Sequence, residues 1–260
     1  MFIPLHDANA LKHIKLQYVT LTLIALNVLA YLFVNVVTDP ATMQAAFVSF
    51  GYIPAVVNDF EELPIELVYI PENLSLLSYS FLHGDFMHLM GNMLFLWVFG
   101  DNIEDALGHF KFLIFYLLCA IAGALAHGFM DQVSIAPLIG ASGAVAGIIG
   151  AYVVLHPKVR VWVLAFSRLP LRLPAYIPLL FWIAFQIFMV FALPDDAVSW
   201  GAHIGGFLAG AILVVFMRRR GVPLFDQNVV TPEAVIVEPE SVVLKTDERD
   251  TNIWGRGPST

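Results

Sequence analysis

Six long apolar segments constrain the fold of this 260-residue sequence more than any other feature. A helix that crosses a bilayer needs about 20 mostly apolar residues. The segments cover approximately residues 16–37, 85–101, 110–130, 136–155, 173–193 and 198–217. Charged residues make up only 13% of the chain, whereas a soluble domain carries about 25%. The sequence therefore predicts an all-α polytopic membrane protein with six transmembrane helices.

The positions of the basic residues predict the orientation of these spans, because Lys and Arg are concentrated on the cytoplasmic side of a membrane. When the N-terminus is placed in the cytoplasm, all 13 Lys and Arg residues fall on that side. The segments left outside, at residues 38–84, 131 and 194–199, contain none. We therefore expect both termini to be cytoplasmic.

This topology divides the chain into three parts. Residues 1–15 form a cytoplasmic N-terminal segment, residues 16–217 the six-helix core, and residues 218–260 a cytoplasmic tail that we expect to be mobile. The outer segment 38–84 is too long for a plain connector and combines prolines, acidic residues and apolar residues. It is expected to form short helices at the outer membrane interface.

Charge and cysteine content exclude other classes. The net charge of −8 provides no basic field, so no nucleic acid partner is expected. The single Cys119 cannot form a disulfide within the chain. In the absence of an organellar targeting pattern, the composition favours a bacterial plasma membrane, and the oligomeric state is left open.

Strongly polar residues lie in or beside three of the predicted spans, where such residues usually mark function. They are His83, His88 and Asn92 around the second span, Ser142 in the fourth and His203 in the sixth. In the predicted topology the last four lie about 5–10 Å below the outer ends of their helices, at 1.5 Å per residue. Because unrelated polar residues would not share one depth, we expect them to meet in one layer.

Small residues on the fourth and sixth spans would allow the close approach that this layer requires. Gly143 with Gly147 and Gly206 with Gly210 are small-x-x-x-small pairs, which let membrane helices pack backbone to backbone. Such pairs are most often packing motifs alone. Close packing would nevertheless also bring a serine hydroxyl within reach of an imidazole.

The chemistry of this set favours amide hydrolysis. A serine hydroxyl becomes nucleophilic when a base takes its proton, and His203 could do this for Ser142. No acidic residue lies in the membrane near His203, so the sequence predicts a dyad whose imidazole is held by helix packing. His88 and Asn92, at i and i+4 on one helix face, and the backbone N–H of Ser142 could stabilise an oxyanion.

Three motifs resemble those of the rhomboid intramembrane serine proteases: Gly140-Ala-Ser142-Gly143, Ala-His203-Ile-Gly-Gly206 and His83-x4-His88-x3-Asn92. The likeness extends over residues 16–217 and includes the number of spans, the topology and the order of the motifs. It implies the six-helix rhomboid core, without a cofactor or metal. The implied substrates are single-pass membrane proteins, cut near the outer face, with the fifth span and residues 194–199 controlling their access.

The resemblance also implies a role for each motif residue. Ser142 would be the nucleophile and His203 the general base. His88 and Asn92 would contribute to the oxyanion hole, and His83 would support the outer loop.

Three departures from the family pattern concern loop anchoring and the position of the imidazole. The outer loop lacks the Trp-Arg pair that many members carry before the first motif histidine. Ala146 replaces a tyrosine that stacks on the catalytic imidazole in some members, a place that Tyr152 or Trp200 could fill. Glu104-Asp105 represents an acidic-basic motif without its arginine.

Three other functions remain as alternatives. The first is an inactive rhomboid-like protein that binds membrane clients, although such proteins typically lose the serine or the histidine. A metalloprotease site could use His83, His88, His127 and His203, but the His-Glu-x-x-His motif is absent. A transporter would place polar groups along a path across the bilayer rather than in one outer layer.

Overall fold

The computed structural model describes residues 2–165, 168–193 and 198–226. The described residues form nine α-helices and three β-strands. The helices are α1 (Tyr18–Tyr31), α2 (Pro40–Phe50), α3 (Pro54–Val57), α4 (Ser75–Ser78), α5 (Phe86–Leu107), α6 (His109–Met130), α7 (Ser142–Leu155), α8 (Tyr176–Ala192) and α9 (Trp200–Met217). The strands are β1 (Phe2–Asp7), β2 (Arg160–Ala165) and β3 (Leu169–Pro174).

Three helical segments among the described residues are long and apolar enough to cross a membrane, which makes the chain a multi-pass membrane protein. They are Tyr18–Val37, His109–Met130 and Trp200–Met217. The first joins α1 to a π-helical segment, Leu32–Val37. The helices α7 and α8 are apolar but shorter. Mixed polarity distinguishes α5, whose last two turns carry three acidic residues.

Two helix boundaries differ from the sequence-based prediction. The second span was expected to end at Asp101, but α5 continues to Leu107 because its acidic residues have partners. Asp105 accepts hydrogen bonds from three backbone N–H groups before α1, at 2.6–3.0 Å. Glu104, fully buried, accepts from the backbone N–H and the hydroxyl of Thr20 at 2.8 and 2.7 Å. The fourth span was expected to begin near Ala136, but α7 begins at Ser142.

The centre of the bundle is α7, which packs against α6 and α9. Eleven of its fourteen residues are buried. A methyl group at Gly206 would overlap the carbonyl oxygen of Gly143, and one at Gly210 would overlap that of Gly147. The helices α7 and α9 are therefore in direct backbone contact, as the small-residue pairs predict.

A three-stranded antiparallel sheet, in the order β1-β2-β3, corrects the all-α prediction. The N-terminal segment pairs with β2 rather than extending away from the core. Buried Asp7 at the end of β1 accepts hydrogen bonds from the Tyr152 hydroxyl at 2.6 Å and from the Asn102 amide at 2.8 Å. These bonds tie the sheet to α7 and α5.

The outer segment 38–84 contains short helices, as predicted. These are α2, α3, α4 and three short 3₁₀ turns. Backbone hydrogen bonds attach it to the chain before α7. Tyr52 forms a β-bridge with Leu138, the N–H of Ala55 donates to the Ser134 carbonyl at 3.0 Å, and the carbonyl of Tyr79 accepts from the N–H of Gly140 at 3.0 Å. The hydroxyl of Tyr79 also donates to the Ala120 carbonyl at 2.7 Å. These bonds anchor the loop in the absence of the Trp-Arg pair.

Segments rich in basic residues meet at one end of the bundle. The N–H of Arg219 donates to the Ala106 carbonyl at 2.9 Å, and Lys12 forms an ion pair with Asp226 at 3.3 Å. The sheet, which includes Arg160 and Arg172, is attached to the same end through Asp7. This grouping agrees with the distribution from which the topology was predicted. Most of the predicted tail, from residue 227 onwards, lies outside the described residues.

Candidate active site

Ser142 is the first residue of α7 and is half buried. The chain before it, at Leu138 and Ala141, is buried, so this helix begins inside the protein. The first N–H groups of a helix have no intrahelical acceptor and carry the positive end of the helix dipole. The expected start of this helix is therefore wrong: Ser142 is its first residue rather than about six residues inside it, and its own N–H can act as a donor.

Gly140 explains how the chain turns into α7. Its φ of +121° is a conformation that favours glycine, and an added Cβ would lie 2.5 Å from Nε2 of His88. The same Cβ would lie 3.8 Å from Nδ2 of Asn92. Both α5 side chains thus border the segment that leads into Ser142.

Buried His83 connects these two side chains. Its Nε2 accepts a hydrogen bond from Nδ2 of Asn92 at 3.1 Å, and its ring lies edge-on to that of His88 with centroids 5.1 Å apart. Its backbone carbonyl accepts from the Asn35 amide at 2.9 Å. His83 therefore packs against both predicted oxyanion donors.

His203 lies in the first turn of α9. Ser199 caps this helix by accepting from the N–H of Ala202 at 3.2 Å. The Nδ1 of His203 is hydrogen-bonded to Oε1 of Gln186 on α8 at 2.7 Å. Trp182 and Trp200 pack against the imidazole, with centroids 5.6 and 6.2 Å away.

The imidazole thus has two tryptophans as aromatic neighbours, whereas the tyrosine of some family members is replaced by Ala146. Of the two aromatic residues considered for this place, Trp200 is correct and Tyr152 is wrong. The ring of Tyr152 packs against Phe99 and His156, while its hydroxyl is bound to Asp7.

The contact between α7 and α9 brings the two ends of these helices together. Gly143 directly follows Ser142, and Gly206 lies one turn after His203. Because Gly143 and Gly206 are in contact, the start of α7 lies beside the first turn of α9. The side chains of His88 and Asn92 border Gly140, two residues before Ser142, so α5 belongs to the same region. The structure thus gathers the predicted site residues from α5, α7 and α9 into one region.

The remaining histidines have other surroundings. His127, at the end of α6, is hydrogen-bonded to the hydroxyl of Ser199 at 2.8 Å. Just beyond α7, burial lowers the pKa of His156 to about 4. Within the described ranges, no three His, Cys, Asp or Glu residues are grouped to hold a metal ion.

Sequence reasoning missed Gln186, although a signal was present. It is the single strongly polar residue of the 17-residue apolar helix α8. A polar side chain within such a helix is expected to have a partner or a function. The role of Tyr79 gave no comparable signal, since a tyrosine near a membrane interface is common.

Taken together, the glycine-packed helices and the polar residues at their ends define a helical membrane protein with a candidate hydrolase site. Residues 71–220, more than half of the chain, match the family model of the Rhomboid domain. The chain belongs to the rhomboid family.

Individual relatives agree with this assignment. The chain is 30% identical over 153 residues to Rhomboid protein 1, mitochondrial, of Saccharomyces cerevisiae, an alignment that covers 55% of this chain and 42% of the relative. It is 27% identical over 218 residues to Rhomboid protease AarA of Providencia stuartii, covering 75% and 71%. Rhomboid-like protease 3 of Toxoplasma gondii is 32% identical over 140 residues, covering 54% and 49%. The chain thus spans less than half the length of the yeast relative. The yeast relative is mitochondrial by name, so family membership does not select a bacterial plasma membrane.

Proposed function

We propose that this protein is an intramembrane serine endopeptidase that hydrolyses peptide bonds of single-pass membrane proteins through a dyad of Ser142 and His203. The observation that carries the proposal is the packing of α7 on α9 at Gly143 and Gly206, which juxtaposes the ends that bear these two residues. Two relatives that share the family are proteases by name.

In the first step, Nε2 of His203 takes the hydroxyl proton of Ser142 as its Oγ attacks the carbonyl carbon of the substrate. The Oγ–C bond forms and the carbonyl becomes an oxyanion. The imidazole is suited to this step because its Nδ1 is already engaged by Gln186.

Three hydrogen-bond donors near Ser142 are available to stabilise the developing oxyanion. The N–H of Ser142 lies at the start of α7, and the side chains of His88 and Asn92 border Gly140, two residues earlier. Donors held in place before the reaction stabilise the developing charge without reorganisation.

In the second step, the tetrahedral intermediate collapses and the C–N bond breaks. The imidazolium of His203 returns its proton to the leaving amine, which leaves an acyl-enzyme on Ser142. His203 then takes a proton from water as the water oxygen attacks the acyl carbon. The Oγ–C bond breaks, the imidazolium of His203 returns the proton to Oγ of Ser142, and the second product leaves as a carboxylic acid. The net reaction consumes one water for each peptide bond.

The position of the site along α5 indicates which membrane face it is near. His88 lies at the start of α5, whereas the end of α5 at Leu107 belongs to the basic end of the bundle. The site is therefore near the opposite end, and the positive-inside rule places that end toward the outer face. We also propose that the chain crosses the membrane six times and has both termini in the cytoplasm.

The apolar surface of α8 supports access from the lipid. Only four of its seventeen residues are buried, and Phe181, Phe188 and Phe191 are exposed. A substrate helix can approach such a surface without leaving the apolar phase. Residues 194–197 of the predicted access loop lie outside the described residues.

Cleavage by the purified protein tests the proposal. A single-pass substrate reconstituted with it in liposomes should be cut near the outer end of its helix, and Ser142→Ala should abolish the cut. Ser49→Ala, a buried serine in α2 away from the site, is the matched control and should retain activity. Binding of the substrate without any cleavage would instead favour the inactive client-binding function, and inhibition by chelators would favour a metalloprotease.

A further inference from the structure

The imidazole of His203 has a side-chain partner that a two-residue dyad does not require. The Oε1 of Gln186 lies 2.7 Å from its Nδ1, and Gln186 is only 3% exposed. This partner comes from α8, whereas Ser142 and His203 belong to α7 and α9. Gln186 is a buried polar side chain on an otherwise apolar helix. Leaving its amide without a hydrogen-bond partner would therefore cost free energy.

The nitrogen of the Gln186 amide shows which of the two amide atoms faces His203. Nε2 of Gln186 donates to the backbone carbonyl of Trp182, one turn earlier on α8, at 3.3 Å. The reverse orientation would set the amide oxygen against this carbonyl oxygen. The amide oxygen therefore faces His203 and can only accept a hydrogen bond.

An acceptor at Nδ1 selects one of the two neutral forms of the imidazole. Nδ1 must carry the proton, and Nε2 is left with the lone pair that a general base needs. In serine hydrolases with a carboxylate, the carboxylate performs this orientation and also stabilises the imidazolium. A neutral amide supplies the orientation alone.

We propose that Gln186 is a positioning residue that holds His203 as the Nδ1–H tautomer with its Nε2 free for Ser142. This inference rests on the proposed protease function. It also makes the orientation of the base depend on where α8 lies, because the partner is carried by that helix. Trp182 contributes twice, through its carbonyl to Gln186 and through its ring to the imidazole.

Two substitutions separate positioning from packing. Gln186→Leu keeps most of the volume but removes the acceptor, and should lower kcat about 10–100-fold with little change in KM, the range typical of lost supporting hydrogen bonds. Gln186→Glu keeps an acceptor of the same length and should retain activity. Because a carboxylate stabilises the protonated imidazole, its acidic limb of kcat/KM should move to higher pH. The titratable neighbour on α5, His88, is unchanged in both variants.

Two additional readouts avoid dependence on substrate access. The rate of covalent labelling by a small fluorophosphonate should fall in Gln186→Leu to the same extent as kcat. Ile183→Val, one turn away on the buried face of α8, is the packing control and should label within about twofold of the wild type. Nitrogen-15 NMR of the imidazoles, with the His203 signal assigned by its loss in His203→Ala, should show the Nδ1–H tautomer in the wild type.

The outcomes distinguish this inference from the protease proposal. Wild-type rates of cleavage and labelling in Gln186→Leu would overturn the inference and leave the protease proposal standing. Equal inactivity of folded Gln186→Glu and folded Gln186→Leu would also overturn the inference and leave the protease proposal standing. A wild type with the Nδ1–H signal that neither cleaves nor labels would overturn the protease function while upholding the tautomer.

Discussion

The side-chain amide of Asn92 donates a hydrogen bond to Nε2 of His83 across 3.1 Å. An amide has two hydrogens, so this bond fixes the plane of the group and leaves the second hydrogen for another acceptor. The segment before Ser142 lies on that side, since a Cβ at Gly140 would be 3.8 Å from the same nitrogen. His83 thus determines where a candidate oxyanion donor points.

Replacement of Asn92 by alanine should therefore affect both rate and stability. Loss of one preorganised donor lowers kcat by about 10²–10³-fold. The buried Nε2 of His83 would also lose its partner, which costs about 1–3 kcal/mol and should lower the Tm. Steady-state kinetics and thermal unfolding in detergent measure the two effects.

Asn27→Ala is the matched control for this prediction. Asn27 is a buried asparagine of α1 whose amide donates to the Leu23 carbonyl at 2.8 Å, away from the candidate site. It should lower the Tm while the activity of the folded protein stays close to that of the wild type. An Asn92→Ala variant with a lower Tm and full kcat would limit Asn92 to a packing role.

The backbone contact between α7 and α9 predicts that Gly206→Ala is damaging. The new methyl group would overlap the Gly143 carbonyl oxygen, so the helices must separate. Overpacking of this kind costs about 1–3 kcal/mol, and the movement would also draw His203 away from Ser142. A lower Tm together with loss of cleavage is expected.

Gly91→Ala provides the comparison. Gly91 lies on α5, and an added Cβ would have no atom within 4 Å. Its Tm should be unchanged or higher, because alanine is a better helix former than glycine. If Gly91→Ala lowered the Tm and activity as much as Gly206→Ala, the effect of Gly206→Ala could not be attributed to the contact between α7 and α9.

The bond between the sheet and the bundle should be sensitive to pH. Burial raises the pKa of Asp7 from 3.8 to about 6, although the hydrogen bond from Tyr152 opposes the change. The folded protein thus retains this proton to a higher pH than the unfolded chain. The stabilisation is fully present below pH 3.8 and is lost as the pH rises through about 6. The difference between the two pKa values corresponds to about 3 kcal/mol.

Asp7→Asn should remove this contribution to the pH dependence, since an amide oxygen can accept the same two hydrogen bonds without ionising. Its Tm between pH 5 and 7.5 should vary less than that of the wild type. Asp39→Asn is the control, because hydrogen bonds from Thr42 hold the pKa of exposed Asp39 below its usual value. A wild-type profile retained in Asp7→Asn would contradict the assignment.

Periodic features of the sequence predicted much of the fold. The long apolar stretches correctly predicted α1, α6 and α9 as candidate spans, and small residues correctly predicted the contact of α7 with α9. The sheet was missed because its strands are short and distant in sequence. Strands β1 and β2 have six residues each, and Arg160 follows Asp7 by 153 positions, so their pairing leaves no local pattern. The start of α7 was missed because apolar content continues through the non-helical residues before Gly140.

The polar residues of the candidate site were predicted, but the contacts of His203 with α8 were missed for a similar reason. His88 and Asn92 share a helix face by spacing alone, and Ser142 and His203 stand out as polar residues in apolar surroundings. The bond of Gln186 to His203 joins two helices, and the choice of Trp182 and Trp200 as neighbours of the imidazole depends on how α8 packs. Neither contact follows from spacing within one segment.

The dyad of Ser142 and His203 is tested most directly by covalent labelling of Ser142. The folded protein in detergent is treated with a fluorophosphonate, and the labelled residue is identified by mass spectrometry of its peptides. A serine reacts with such a probe when a neighbouring base activates it. We expect an adduct on Ser142 in the wild type. We expect its loss in a His203→Ala variant whose Tm equals that of the wild type. Labelling that is equal in both proteins, or that occurs on a serine other than Ser142, would contradict the proposed dyad.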